Sequence, residues 1–167
     1  MKLFYFGFGQ VAQSFVDHLL NSKVDLKLAI TSRKNTSELT FKNLKYLNYE
    51  FNENDFDKDL INPLQESDHI LISVPPINGK DMFIERLVKN NLNLSNLKWL
   101  TYLSSTSVYG NHDGAWVNED SITNPQTLAG KNRLNVENDW LSIGTKNSLP
   151  VQIFRLSGIY SDRYNAI

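Results

Sequence analysis

The sequence of 167 residues contains no cysteine, no long apolar segment and no excess of charge of either sign. Without cysteine, disulfides, thiolate metal sites and cysteine nucleophiles are excluded. No apolar run approaches the roughly 20 residues of a membrane-spanning helix. The formal net charge of −1 gives no electrostatic basis for binding nucleic acid or an anionic membrane surface.

Histidine is also scarce, and His18, His69 and His112 show no spacing typical of metal ligands. We therefore expect no metal site. Glycine and glutamine interrupt the N-terminal apolar residues, which argues against a signal peptide and leads us to expect a cytoplasmic protein. The length and the hydrophobic content of 41% fit one domain covering residues 1–167.

The first fifteen residues combine a short apolar run, two closely spaced glycines and apolar residues at helical spacing. The run Leu3–Phe6 leads directly into Gly7-Phe8-Gly9-Gln10-Val11-Ala12. A G-x-G-x-x-A pattern between a strand and a helix is typical of dinucleotide binding. Gly7 allows the tight turn, Gly9 lets the backbone approach a pyrophosphate, and Ala12 lets the helix lie close to its strand. The residues predicted to cradle the pyrophosphate are Gly7, Gly9, Gln10 and Val11.

The end of the predicted second strand carries basic and hydroxyl side chains instead of an acid. The segment Val24–Ile30 alternates as a half-buried strand and is followed by Thr31-Ser32-Arg33-Lys34. In dinucleotide-binding folds this position contacts the adenosine ribose, where an acid accepts hydrogen bonds from the hydroxyl groups. Ser32 and Arg33 could instead hold a 2′-phosphate, which favours NADP over NAD. The alternative interpretation is a solvated basic turn.

The remaining segments alternate between strand and helix patterns. This alternation predicts an α/β fold with a doubly wound parallel sheet. The further strands are predicted at Leu44–Phe51, within Asp68–Pro76, and at Leu97–Leu103 and Val151–Ile159. Helices are predicted at Gly79–Asn90 and Lys131–Ile143, with a short helix or turn at Asp57–Ser67.

The fifth predicted strand runs into a segment rich in hydroxyl groups, Tyr102-Leu-Ser-Ser-Thr-Ser-Val-Tyr-Gly110. Ligands of open parallel sheets bind at the carboxyl ends of the strands, so these hydroxyl groups are candidates for a binding site. Taken alone, the segment would also fit an ordinary Ser/Thr turn.

Four segments together resemble the extended short-chain dehydrogenase/reductases, in particular the NAD-dependent epimerase/dehydratase family. They are the N-terminal G-x-G-x-x-A, Ser73-Val74-Pro75-Pro76, Ser104-Ser-Thr-Ser-Val-Tyr-Gly110 and Phe154-Arg-Leu-Ser-Gly-Ile-Tyr160. The second and fourth resemble an atypical branch of epimerase-like NAD(P)-binding proteins. The resemblance implies a Rossmann fold and a nicotinamide cofactor, either NAD or NADP. It also implies that Val74 and Pro75 flank the nicotinamide side and that Ser157 contacts the cofactor.

The resemblance further implies two catalytic positions, Ser105 and Arg133, and the loss of the family's catalytic tyrosine. Ser105, four residues before Tyr109, matches the residue that hydrogen-bonds the substrate oxygen. The family's Y-x-x-x-K pair, which transfers the proton, matches Ala129 and Arg133 here. Alanine cannot transfer a proton, and arginine is a poor substitute for a titratable lysine, although Arg133 could still contact a ribose.

The implied function is an oxidoreductase that passes a hydride between the nicotinamide and a hydroxylated, sugar-nucleotide-like substrate. Because Ala129 replaces the tyrosine, the alternative is a non-catalytic dinucleotide-binding sensor, scaffold or assembly protein. Family members place a substrate region after the sixth predicted strand, so we expect that region to be largely absent from this chain. The family also implies a homodimer through residues 82–90 and 132–143, although burial in the core would explain their apolar residues equally well.

Overall fold

The computed structural model describes residues 1–34, 36–90 and 92–160, which form seven strands and four α-helices. The strands are β1 (Lys2–Phe6), β2 (Lys27–Ser32), β3 (Ser37–Phe41), β4 (Leu44–Glu50), β5 (His69–Ile72), β6 (Trp99–Ser105) and β7 (Val151–Leu156). The helices are α1 (Gln10–Asn21), α2 (Ile61–Gln65), α3 (Met82–Arg86) and α4 (Leu128–Asn147).

The seven strands form one sheet in the order β3-β4-β2-β1-β5-β6-β7. All neighbouring strands pair in parallel except β3 and β4, which form an antiparallel hairpin. The predicted parallel sheet is therefore confirmed, but the hairpin was missed. Strand β3 is almost wholly exposed, so it lacks the apolar alternation that marks a half-buried strand. Its turn depends on Lys42 in a left-handed conformation (φ 52°), without the glycine that usually indicates such a turn.

Helices cover both faces of the sheet, as a doubly wound fold requires. Alternate residues of the central strands point to opposite sides, so that Leu3 and Tyr5 pack with helix α1 while Phe4 and Phe6 belong to the other cluster. That second cluster also contains buried residues of α2, α3 and α4. The carboxyl ends of the parallel strands consequently meet at one edge of the sheet.

Several predicted boundaries are wrong by a few residues. The second strand begins at Lys27 instead of Val24 and continues to Ser32, while the last strand ends at Leu156 instead of Ile159. The fifth predicted strand is shifted and includes Ser104 and Ser105. These serines are therefore strand residues with fixed orientations, not members of a loose turn.

The helix predicted over Gly79–Asn90 is much shorter, because α3 covers only Met82–Arg86. Asn78 and Gly79 both have positive φ angles and form a turn that pairs Ile77 with Lys80. The helix begins only after this turn, where the Asp81 carboxylate accepts hydrogen bonds from the first backbone N–H groups.

Helix α4 is longer than the predicted Lys131–Ile143 and begins where Thr127 caps it. The Thr127 hydroxyl accepts a hydrogen bond of 3.0 Å from the Gly130 N–H group. Val136 and Trp140 are fully buried in the core cluster that also contains Phe83 of α3. The buried apolar residues of α3 and α4 thus have partners within the chain, and the predicted homodimer stays a prediction.

Within the part of the chain that the structure describes, no helix combines the length and the apolar character needed to cross a membrane. In the same residues, no group of three or more His, Cys, Asp or Glu side chains is arranged to hold a metal ion.

Candidate cofactor-binding site

The turn between β1 and α1 depends on a glycine at position 7. Gly7 has φ +84°, and a Cβ atom there would lie 3.0 Å from Ser73 Oγ and 3.3 Å from Val74 Cγ2. Its N–H group donates to Thr31 Oγ1 at 3.2 Å. The turn is therefore fixed by a left-handed conformation and by close contacts with the ends of β2 and β5.

Gly9 has a different environment. It precedes the first turn of α1, with φ −80°, which any residue can adopt, and a Cβ atom there would meet nothing within 4 Å. The fold does not require a glycine at this position, so the missing side chain leaves open space at the start of the helix. The first turn contains no acidic residue and no capping side chain. An open helix N-terminus of this kind fits a negatively charged pyrophosphate.

An open cavity of about 400 Å³ lies at the carboxyl edge of the sheet, beside this helix terminus. Its lining residues come from α1, α4 and the ends of β5, β6 and β7. They are Gly9, Gln10, Val11, Ala12, Ser73, Leu103, Ser104, Ser105, Arg133, Leu156, Ser157 and Ile159. Among these described lining residues, Arg133 is the one charged side chain, and none is an acid or a histidine.

Two adjacent serines at the end of β6 occupy different positions in the cavity wall. Ser105 is partly exposed, and its Oγ accepts a hydrogen bond of 3.2 Å from the Ser107 N–H group. Ser104 is 4% exposed, and its Oγ has no hydrogen-bond partner among the described residues. Ser104 was not among the site residues predicted from the sequence. The signal that could have found it was the alternation of a strand, because alternation turns Ser104 and Ser105 toward opposite faces of the sheet.

Arg133 reaches the cavity from the first half of α4. Its Nη1 donates to the Leu103 carbonyl oxygen at 2.8 Å and to the Tyr102 hydroxyl at 3.3 Å. Burial raises the pKa of Tyr102 to about 12 despite the nearby guanidinium, so this phenol stays protonated at neutral pH. Ala129, one turn earlier, is exposed and does not line the cavity.

Comparison with known proteins identifies the fold. No protein-family model matches the chain, and no curated protein matches its sequence. Among solved structures, a functionally unknown conserved protein from Silicibacter pomeroyi is 27% identical, with a TM-score of 0.74 over 95% of this chain and 53% of its own. UDP-glucuronic acid 4-epimerase from Bacillus cereus in complex with NAD is 20% identical, with a TM-score of 0.71 over 96% of this chain and 57% of its own.

A third solved structure, dTDP-glucose 4,6-dehydratase from Bacillus anthracis in complex with NAD, is 17% identical, with a TM-score of 0.70 over 98% of this chain and 56% of its own. The chain has the fold of the NAD-dependent epimerases and dehydratases. The resemblance stated from the sequence is thereby confirmed for the fold. The chain spans little more than half the length of these epimerase and dehydratase chains.

The epimerase/dehydratase fold brings together most of the residues predicted for the site. Those that line the cavity are Gly9, Gln10, Val11, Ser105, Arg133 and Ser157. Gly7 lies behind the lining, in the turn that positions Gly9. The binding roles of all these residues stay predictions.

Two predicted pairs do not line this cavity. Val74 and Pro75 instead line a second, small cavity beside α3. Within the described part of β5 and its following turn, Ser73 is the residue that lines the cavity at the start of α1. Ser32 and Arg33 lie at the end of β2, where Arg33 is exposed and the Ser32 Oγ accepts a hydrogen bond of 3.2 Å from the Lys34 N–H group.

Proposed function

We propose that the chain binds a nicotinamide dinucleotide and acts as an epimerase/dehydratase-like oxidoreductase on a hydroxylated, sugar-nucleotide-like substrate. The observation that carries this proposal is the cavity at the start of α1, which is open at Gly9 and contains no acid among its described lining residues. The NAD bound by two solved relatives of the same fold supports the cofactor class.

The residues of the cavity suggest how such a ligand would be held. The pyrophosphate would lie against the N–H groups at Gly9, Gln10 and Val11, where the helix dipole favours negative charge. Ser105 would hydrogen-bond the substrate oxygen, and Ser157 would contact the cofactor from the end of β7. The bound nicotinamide would supply or accept the hydride.

Among the described lining residues of this cavity, none is an ordinary acceptor for the proton that accompanies the hydride. Of these residues only Arg133 is charged, and an arginine does not release its proton in proteins. General acid–base catalysis contributes about 10²–10⁴-fold, so turnover would be slower by about that factor than with a tyrosine–lysine pair. The same observation favours the second candidate function, a dinucleotide-binding sensor, scaffold or assembly protein without catalysis.

The preference between NAD and NADP depends on the end of β2. Arg33 favours a 2′-phosphate, whereas Glu50 lies opposite Ser32 in the β2–β4 register and would repel one. We propose NADP as the preferred cofactor on the basis of Arg33 and Ser32, with NAD as the alternative that Glu50 favours.

Separate calorimetric titrations with NAD and NADP test the proposal. We expect binding of both, tighter for NADP, and we expect Arg33→Ala to remove the difference while leaving NAD affinity unchanged. Equal affinities in the original protein would contradict the NADP preference, and binding of neither would contradict the cofactor itself. Hydride transfer to a panel of nucleotide sugars, followed by NAD(P)H absorbance, then separates the oxidoreductase from the non-catalytic alternative.

A further inference from the structure

The guanidinium of Arg133 is held by two hydrogen bonds but is not neutralised by any described residue. Its Nη1 is fixed by the Leu103 carbonyl and the Tyr102 hydroxyl. Among the described residues, no carboxylate lies within ion-pair distance of Arg133, and none accepts a hydrogen bond from its Nε or Nη2. A positioned guanidinium therefore presents unused donors beside the cavity.

The nearest acid on the same helix is already engaged elsewhere. Glu137, one turn after Arg133, is 1% exposed and pairs with Arg155 of β7, with an Nη2–Oε2 distance of 2.8 Å. Two further hydrogen bonds join Arg155 Nε to the same carboxylate. Because this pair is complete, Glu137 does not compensate the charge of Arg133.

Ser104 provides a second, independent observation. It lines the same cavity as Arg133, it is more than nine-tenths buried, and its hydroxyl has no partner among the described residues. Buried hydroxyl groups are nearly always hydrogen-bonded, because an unpaired one loses its interaction with water without compensation. Because Ser104 lines the cavity, a ligand bound there can supply the missing partner.

We propose that Arg133 and Ser104 form an oxyanion subsite, which holds a carboxylate or phosphate group of the ligand in addition to the cofactor pyrophosphate. The planar guanidinium can offer paired donors to such a group, and it stays charged at every physiological pH. This inference rests on the proposed function, because the cofactor would occupy the same cavity. It narrows the substrate class to molecules that carry an anionic group.

Titration of NAD-saturated protein with malonate and, separately, with inorganic phosphate tests the subsite. We expect binding that Arg133→Leu weakens by about 10–100-fold, as for a lost hydrogen bond between charged groups. Ser104→Ala should weaken it by about 2–10-fold, as for one hydrogen bond from a neutral hydroxyl. The matched control is Lys131→Leu, which removes a charge of the same sign from an exposed position on the same helix and should leave the affinity within about twofold.

The two probes distinguish the sources of the anionic group. Tighter binding of malonate identifies a carboxylate, and tighter binding of phosphate identifies a phosphate; either result supports the subsite. Equal affinity in the original protein and in Arg133→Leu, or binding of neither probe, would overturn it. If Arg133→Leu fails to fold, as judged by thermal unfolding, the affinities of Ser104→Ala and Arg133→Lys for malonate and phosphate replace those of Arg133→Leu in the comparison.

Failure of the subsite and failure of the proposed function give different results. If the original protein does not bind NAD, the proposed function is contradicted, and the anion titration is then repeated without cofactor. Anion binding that depends on Arg133 but not on cofactor would support the subsite alone. Cofactor binding without any anion binding would support the proposed function alone.

Discussion

At the scale of single residues, the two glycines of the N-terminal motif are needed for different reasons. Gly7 is favoured by the backbone, since its φ of +84° strains any other residue and a Cβ atom there would crowd Ser73. Gly9 is free of both constraints. The fold therefore accounts for the first glycine, while the second fits the proposed ligand that approaches the backbone.

This difference predicts opposite effects for the same substitution at the two positions. Gly7→Ala should lower the free energy of unfolding by about 1–3 kcal/mol, because it forces alanine into a left-handed conformation. Gly9→Ala should change it by less than about 0.5 kcal/mol but weaken dinucleotide binding at least about tenfold. Denaturant unfolding and calorimetry measure the two effects. A Gly9→Ala variant that binds the dinucleotide normally would show that the space at Gly9 is not the pyrophosphate site.

At the scale of secondary-structure elements, helix α4 connects the cavity to the rest of the sheet. Its Thr127 cap fixes where the helix begins, Arg133 faces the cavity, and Glu137 pairs with Arg155 of β7. Positions 129, 133 and 137 are four residues apart and follow one side of the helix. Restoring a tyrosine at position 129 would therefore place it next to position 133.

The double substitution Ala129→Tyr/Arg133→Lys should increase hydride-transfer turnover, because it supplies a proton-transfer pair of the family's type. We expect a gain of about 10²–10⁴-fold, measured as NAD(P)H formation with nucleotide sugars. Arg133→Lys alone is the control and should show no such gain. Unchanged turnover in a double variant that still binds the dinucleotide would argue for the sensor or scaffold function.

At the scale of the whole molecule, one buried carboxylate joins elements that are far apart in the sequence. Asp81 caps α3 with one oxygen and accepts a hydrogen bond from Trp140 Nε1 of α4 with the other, at 3.2 Å. Burial raises the pKa of Asp81, although the three hydrogen bonds oppose the shift. The folded protein consequently holds this proton to a higher pH than the unfolded chain does.

The sign of the resulting pH dependence follows from proton linkage. Between the unfolded and the folded pKa of Asp81, the folded state binds more protons, so stability falls as the pH rises, by at most about 1.4 kcal/mol per pH unit. We expect the free energy of unfolding, measured by denaturant titration from pH 4 upward, to fall relative to that of Asp81→Asn. Parallel curves for the two proteins would show that Asp81 does not titrate differently on folding.

The sequence predicted those parts of the molecule that local patterns specify. The β1–turn–α1 unit and the buried strands β5 and β6 have clear apolar patterns, while helix α4 and the partly exposed strand β7 have weaker ones, and each is present with shifted ends. Strand β3 escaped prediction because its exposure removed the expected pattern, whereas α3 was predicted too long because an unusual turn at Asn78 and Gly79 delays its start. For the site, most of the predicted lining residues share one cavity, whereas Ser104 was not foreseen and Val74 and Pro75 face a different one.

The sequence by itself determined the alternation of strands and helices, the glycine turn at the N-terminus and the presence of Ala129 and Arg133 where the family resemblance implies a tyrosine–lysine pair. These features depend on residue type and on spacing along the chain. Only the tertiary structure decided that Arg133 lacks an acidic partner among the described residues and that Ser104 is buried without one. Partnership and burial depend on distances between segments that are remote in sequence, and packing alone sets those distances.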